Sequence, residues 1–195
     1  MHRRHLLVGA GALTIASSLP ALATNAAEDF VSASILKGFD ILNDANLAAA
    51  ERRQRFATFL LGLTDVRRVA LFLLGPYAQK SAPADLDDYL AAYREYLMSV
   101  YQSYFALYAG QSLRVVSSRE RAPGDFIVTT AMTGGKALDV DFRIRIDAAS
   151  PLLLDVAVGG VWLALAQRAQ FTAVLGQNNG DVKALSAHLR RIAHT

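Results

Sequence analysis

Carboxylates are the residues of this chain whose types and spacing best suit chemistry. Asp139 and Asp141 stand two positions apart in a stretch of alternating apolar and charged residues. Two carboxylates on one face of a strand can work as an acid and a base, or bind a cation. Arg143 and Arg145 continue the same face, and this mixture of signs favours a solvated ladder of charges over a reactive pair.

A third carboxylate, Asp155, interrupts an apolar stretch and is predicted to pair with an arginine such as Arg168 or to point outward. Other reactive groups are scarce. The chain has no cysteine, which excludes thiol chemistry and thiolate metal sites. Apart from two histidines in the first five residues, only His188 and His194 remain, close to the end of the sequence. A nucleophilic triad or a histidine metal site is therefore poorly supported.

The first 23 residues are predicted to be a secretory signal peptide. A basic start over residues 1–5 precedes an uncharged apolar run from Leu6 to Leu19, and Ala21-Leu22-Ala23 supplies the small residues of a cleavage site. The run of about 14 residues is shorter than the roughly 20 that span a bilayer. Ala26 is an alternative cleavage point. The Arg3-Arg4 pair lacks the flanks of a twin-arginine signal, which favours Sec export to the periplasm over Tat.

Cleavage is expected to leave a single domain, residues 24–195. Loss of Arg3 and Arg4 lowers Lys+Arg from 20 to 18, against 17 Asp+Glu, so the mature net charge is close to +1. No clustered basic surface stands out, and a nucleic-acid partner is not expected. Because the exported chain has no cysteine, its core must hold the fold without disulfides.

The apolar spacing changes from a helical period to a strand period after Gly110. This change predicts an α+β fold in which N-terminal helices pack on a four-stranded antiparallel sheet and C-terminal helices follow. The predicted helices are Glu28–Asn43, Leu47–Leu63, Val66–Leu74, Asp85–Ala109, Val161–Leu175 and a last one from Asp181 to Ile192. The predicted strands are Leu113–Arg119, Asp125–Thr133, Leu138–Asp147 and Leu152–Val158, the last with Leu152, Leu154, Val156 and Val158 on its inner face.

Five stretches, in this order, resemble the MlaC family of periplasmic phospholipid carriers, also called the toluene-tolerance auxiliary family. They are Glu51–Phe56 with Leu63-Thr64-Asp65-Val66; Leu74-Gly75-Pro76-Tyr77; the helix with Tyr101 and Tyr108; Leu154–Val158 with Gly160-Val161; and Gln167–Phe171. The sequence departs from the family where Leu152-Leu153-Leu154 replaces a segment with tryptophan and Trp162 replaces a serine. A hopanoid-associated branch of the superfamily is looser at these positions.

The resemblance implies a cone-shaped fold with a curved sheet and an apolar cavity for acyl chains. It also implies an ABC-type lipid transporter as membrane partner, lipid exchange between membranes, and no cofactor other than the bound lipid. The overall composition, 53% hydrophobic, suits a container better than a catalyst. The predicted lipid-binding residues are Val140, Phe142, Ile144, Val156 and Val158 on the sheet, and Phe72, Tyr93, Leu97, Val100, Tyr104, Val161 and Leu165 on helices.

Three alternatives remain open at the level of sequence. The ligand can be a hopanoid-like lipid in place of a glycerophospholipid. The chain can be an enzyme that uses a buried carboxylate, Asp141 or Asp155, in the same pocket. The same apolar residues can also fill a solid core in a structural or interaction protein, because periodicity does not separate a filled interior from a hollow one.

Overall fold

The structure, a computed structural model, describes residues 19–107, 110–134, 139–147 and 150–194, with side chains from residue 26 onward except 104–107. Within these ranges the fold is α+β, as predicted, but the sheet has five strands and not four. The helices are α1 Leu19–Asn43, α2 Ala49–Leu63, α3 Val66–Leu74, α4 Tyr77–Lys80, α5 Pro83–Leu107, α6 Leu163–Gln177 and α7 Val182–Ala193. The strands are β1 Ser112–Ala122, β2 Asp125–Thr133, β3 Asp139–Ile146, β4 Pro151–Val158 and β5 Val161–Trp162.

Two of the helices begin at side-chain caps. The Asp65 carboxylate accepts the backbone N–H of Arg68 at 3.0 Å and starts α3, and Asp181 accepts that of Lys183 at 2.9 Å and starts α7. Within the described residues helix α1 already includes Leu19, inside the predicted signal, so the cleavage points at Ala23 and Ala26 lie within this helix. Residues 1–18 of the predicted signal lie outside the described residues. No helix in the described part of the chain is long and apolar enough to cross a bilayer.

The fifth strand arises from a two-glycine turn that follows β4. Gly159 and Gly160 have φ angles of 56° and 82°, the pattern of a tight two-residue hairpin turn. The turn reverses the chain, so Val161 pairs with Val158 and Trp162 pairs with Ala157 before α6 begins. The prediction that the helix starts at Val161 was therefore wrong by two residues. All neighbouring strands pair antiparallel, in the order of the sequence.

A bulge in β4 overturns part of the predicted inner face. Arg143 pairs with Asp155 while Ile144 pairs with Leu153, which leaves Leu154 without an opposite residue. The extra residue moves Leu153 onto the side of Ile144, where it is 7% exposed. Leu153 and not Leu154 therefore belongs to the buried face in the first half of β4, while Val156 and Val158 keep their predicted side.

The buried side chains form two separate clusters. The helical cluster joins α2, α3, α5, α6 and α7, with Tyr89, Leu175, Leu185 and Leu189 fully buried at its centre. The sheet cluster joins α1 to β2, β3 and β4 through Ala27, Val31, Phe126, Val128, Ile144 and Leu153. Helix α2 touches both, because Leu61 packs in the helical cluster and Leu63 packs against the sheet cluster.

Two glycines with similar backbone angles should differ in their tolerance of a side chain. Gly124 has φ +72°, and an added Cβ would lie 2.5 Å from the carbonyl oxygen of Ile146. Gly160 has φ +82° and open space around it. Gly124→Ala and Gly160→Ala both strain the left-handed backbone by roughly 1–2 kcal/mol. Only Gly124→Ala must also displace neighbouring backbone. We therefore expect its free energy of unfolding in urea to fall by about 1 kcal/mol more than that of Gly160→Ala. Equal losses in the two variants would contradict the close approach.

Candidate functional site

One face of the sheet carries three rows of residues across its inner strands, all of them apolar except Thr130. The rows follow from the pairing register, since directly opposite residues project from the same side. Row one is Phe126–Ile144–Leu153, row two is Val128–Phe142–Val156, and row three is Thr130–Val140–Val158. We call these three rows the apolar face.

Helix α1 closes one end of the apolar face. Ala27 and Val31 are 0% and 2% exposed, and they pack in one cluster with rows one and two. Phe30 and Ile35 lie partly buried beside them. The predicted helix Glu28–Asn43 covers most of this segment, but none of its residues is among the predicted lipid-binding residues. The signal was available, because Ala27, Val31 and Ile35 recur at every fourth position and mark one helical stripe.

Access to the apolar face increases from β2 toward β4, because its β2 residues Phe126, Val128 and Thr130 are all 0% exposed. Phe142 and Val156, in the middle row, are half-buried and not sealed. In the last row Val140 is 6% exposed, whereas Val158 is 38% exposed. Val161, its partner across the glycine turn, is 57% exposed. Val158 and Val161 thus form an open end, where apolar surface reaches solvent.

Several of the predicted helical residues lie away from this face. Tyr93 and Leu97 are 1% and 5% exposed and belong to the helical cluster, where the Tyr93 ring meets Phe171 edge-on at 6.2 Å. Val100 is half-buried on the same helix. The side chain of Tyr104 lies outside the described residues.

Two further predicted residues lie on the outer surface. Phe72 on α3 is 41% exposed and Leu165 on α6 is 56% exposed. The guanidinium carbon of Arg168 lies 4.7 Å from the centroid of the Phe72 ring, within the range of a cation–π contact. Of the twelve predicted residues, the apolar face with its open end brings together six: Val140, Phe142, Ile144, Val156, Val158 and Val161.

Tyr89 and Tyr93 of α5 are buried and have a structural role. The hydroxyl of Tyr89 donates to the carbonyl oxygen of Ala70 at 3.0 Å, which links α5 to α3. Burial raises the pKa of Tyr89 and of Tyr93 far above the ordinary value of 10.0. Both rings therefore stay protonated at neutral pH and do not serve as bases. Nearer the sheet, Thr64 and Tyr101 share a hydroxyl–hydroxyl hydrogen bond of 3.2 Å.

Asp155 caps the start of helix α6. The predicted pairing with Arg168 is not what its hydrogen bonds show. Its Oδ1 accepts the backbone N–H of Val156 at 2.8 Å and that of Ala164, in the first turn of α6, at 3.0 Å. Burial raises the pKa of Asp155, while the two N–H donors and the charge of Arg143 act in the opposite direction. The carboxylate thus holds the start of α6 against β4.

The role of Asp155 is testable because asparagine keeps the acceptor and removes the charge. The folded-state pKa of Asp155 lies above the ordinary 3.8. Its contribution to the stability of the protein is therefore lost as pH rises through that folded pKa. We expect Asp155→Asn to be at least as stable as wild type at pH 7, and Asp155→Ala to lose about 1 kcal/mol with the cap. Urea unfolding at pH 7 measures both. An asparagine variant as unstable as the alanine variant would contradict a capping role.

The other carboxylates do not form a reactive pair. Asp139 is exposed, and Asp141 accepts the Thr129 hydroxyl at 2.6 Å. Across the described ranges, no three histidine or acidic side chains lie close enough together to hold a metal ion.

Two surface cavities lie away from the predicted residues. One, of about 530 Å³, lies between α6 and α7 and is lined by Val174, Gln177, Asn178, Ala184, Ala187, His188 and Arg191. The other, of about 160 Å³, is a polar depression beside Tyr77 and Asp85. Neither is lined by any of the twelve predicted residues, so the predicted apolar cavity stays a prediction.

These features define an α+β protein with an antiparallel sheet whose apolar face is covered at one end by a helix. A family model described as MlaC protein matches residues 34–191, and the chain belongs to this family, as the resemblance indicated. The fold is similar to that of a phospholipid-binding protein from Ralstonia solanacearum, whose structure was solved in complex with a phospholipid. The TM-score is 0.71 at 18% identity, over 88% of this chain and 97% of the other.

Proposed function

We propose that this protein binds a phospholipid on the apolar face and carries it as a lipid transport protein. The observation that carries the proposal is the exposed apolar pair Val158 and Val161, which lies at the edge of an otherwise largely buried apolar face. An acyl chain that enters there would first meet row three and then the half-buried Phe142 and Val156. Family membership and the phospholipid bound to the Ralstonia protein support the same ligand class.

The energetics favour hydrocarbon without any catalytic group. Each methylene transferred out of water contributes about 0.8 kcal/mol, so ten buried methylenes contribute about 8 kcal/mol before ordering costs. No cofactor is part of the proposal; the lipid is the ligand.

The cellular setting is proposed from the family and from the predicted signal. We place the protein in the periplasm as the soluble component of an ABC-type lipid transport system, which passes lipid between membranes. Its partners would then be the membrane transporter and the associated periplasmic proteins. A hopanoid-like lipid is the second candidate ligand, because Trp162 and the Leu152–Leu154 segment depart from the family pattern.

An enzyme in the same pocket is less well supported. Such an enzyme needs a buried acid or base that can reach the substrate. The Asp155 carboxylate already accepts two backbone N–H groups, and the Asp141 carboxylate accepts the Thr129 hydroxyl. Asp125 is 5% exposed, but Arg143 holds both of its oxygens.

Organic extraction of the purified protein followed by mass spectrometry tests the proposal. We expect phospholipid in near-stoichiometric amount, and uptake of labelled phospholipid from vesicles by the delipidated protein. A hopanoid in the extract in place of phospholipid would support the second candidate. Absence of any lipid, together with no uptake, would overturn the carrier function.

A further inference from the structure

Helix α6 lies on the surface but lacks the charged face that surface helices normally carry. Between Leu163 and Gln177 its one charged residue is Arg168. Its exposed positions include Leu165, Ala166 and Ala169. An amphipathic surface helix presents charged and polar residues to solvent, so this composition is typical of a helix covered by another surface.

The neighbouring helix α3 adds positive charge and an aromatic ring. Arg67, Arg68 and Phe72 are exposed on the side of α3 that faces away from the helical cluster. Arg68 and Phe72 are four residues apart, and Arg168 of α6 lies over the Phe72 ring at 4.7 Å. We call the surface formed by Arg67, Arg68, Phe72, Leu165 and Arg168 the α3–α6 face.

Two carboxylates lie at the starts of these helices, and each accepts a backbone N–H. Asp65, at the start of α3, accepts the backbone N–H of Arg68, and Asp155, under the start of α6, accepts that of Ala164. The exposed positions of both helices carry no carboxylate. Two exposed arginines and the half-buried Arg168, beside the exposed Phe72 and Leu165, therefore present positive charge together with apolar surface.

We propose that the α3–α6 face docks on the surface of an anionic phospholipid bilayer. Arginines are attracted to anionic headgroups, and a phenylalanine and a leucine among them can enter the boundary between headgroups and acyl chains. The face lies beside the open end, since Val161 and Trp162 lead directly into α6. Docking would bring that end to the membrane. The inference goes beyond the proposed function, because it concerns an outer surface and not the acyl-chain site.

Vesicle co-sedimentation tests the docking surface directly. The purified protein is mixed with vesicles of phosphatidylcholine alone or with added phosphatidylglycerol. We expect binding to the anionic vesicles only, with a loss at high salt. Arg67→Gln/Arg68→Gln should weaken binding about 25-fold, about fivefold for each arginine. The matched control is Arg53→Gln/Arg119→Gln, which removes two exposed arginines from α2 and β1. Leu165→Ser tests the apolar contribution and should weaken binding without unfolding the protein.

Binding that is equal for both vesicle types, or equally weakened by the control pair, would overturn the proposal. The proposal would also be overturned if the wild-type protein did not bind vesicles but bound a protein component of the transporter through these arginines. The lipid content of each variant separates this inference from the proposed function. An arginine variant that keeps its bound lipid but loses vesicle binding supports docking. A wild-type protein that binds anionic vesicles but contains and takes up no lipid refutes the carrier function alone.

Discussion

A Val158→Glu/Val161→Glu variant is expected to fold normally and to lose its bound phospholipid. Both valines are partly exposed, 38% and 57%, so the new carboxylates remain hydrated in the free protein. A chain that enters between them must strip water from at least one charge. Burying a polar group without a partner costs on the order of 3 kcal/mol, which corresponds to about a 100-fold loss of affinity. Phospholipid per protein, measured after extraction, and uptake from vesicles report the effect.

The matched control is Val116→Glu on β1. Val116 is 53% exposed, so the substitution places a carboxylate at a strand valine of comparable exposure outside the apolar face. It should leave the lipid content unchanged. Equal lipid in the double variant and in wild type would show that the open end is not the entrance.

Asp125→Ala is expected to give the largest loss of stability among the carboxylate variants. The Asp125 side chain is 7% exposed, and Arg143 binds it in two places, Nε to Oδ1 at 3.0 Å and Nη2 to Oδ2 at 2.8 Å. Arg121 adds a third contact at 3.3 Å. Removing Asp125 leaves the Arg143 guanidinium, which is 31% exposed, without its carboxylate partner, and we expect the free energy of unfolding in urea to fall by about 2 kcal/mol.

A surface ion pair provides the comparison. Asp88 bonds Arg190 at 2.7 Å, but its side chain is 44% exposed, so Asp88→Ala should lose less than about 1 kcal/mol. Similar losses in the two variants would contradict the importance of burial at Asp125.

The same pair should appear in the pH dependence. The Arg143 guanidinium, through its hydrogen bonds, lowers the pKa of Asp125 below the ordinary 3.8. A lowered folded-state pKa means that the stabilisation is fully present above 3.8 and is lost as pH falls through the folded pKa. Wild type should therefore lose stability more steeply in acid than Asp125→Asn does. Parallel acid curves would rule out this contribution.

Periodicity predicted the order of most elements because each has one buried stripe or face. Residues Val140, Phe142, Ile144 and Ile146 alternate with charged ones, and the structure places β3 there. Periodicity missed β5 and the bulge at Leu154, because both depend on backbone geometry between strands and not on hydrophobic alternation. It also missed α4, whose four residues span little more than one helical turn. The cone shape stays a prediction.

The candidate site was harder to predict than the fold. Helix α5 has apolar residues around much of its circumference, so the sequence did not specify which cluster Tyr93 and Leu97 would join. The sheet residues were easier, because alternation assigns a face and antiparallel pairing aligns neighbours. The contribution of Ala27 and Val31 was overlooked because their helix overlaps the predicted signal region.

The most direct test of the account is to locate the bound acyl chain. A phospholipid with a photoreactive group in its acyl chain is loaded into the purified protein, irradiated, and the adduct is mapped by peptide mass spectrometry. The account predicts adducts on the apolar face, at Phe142, Val156 and Val158, and their loss in Val158→Glu/Val161→Glu. Adducts confined to the α6–α7 cavity, at Val174 or Ala187, would contradict it.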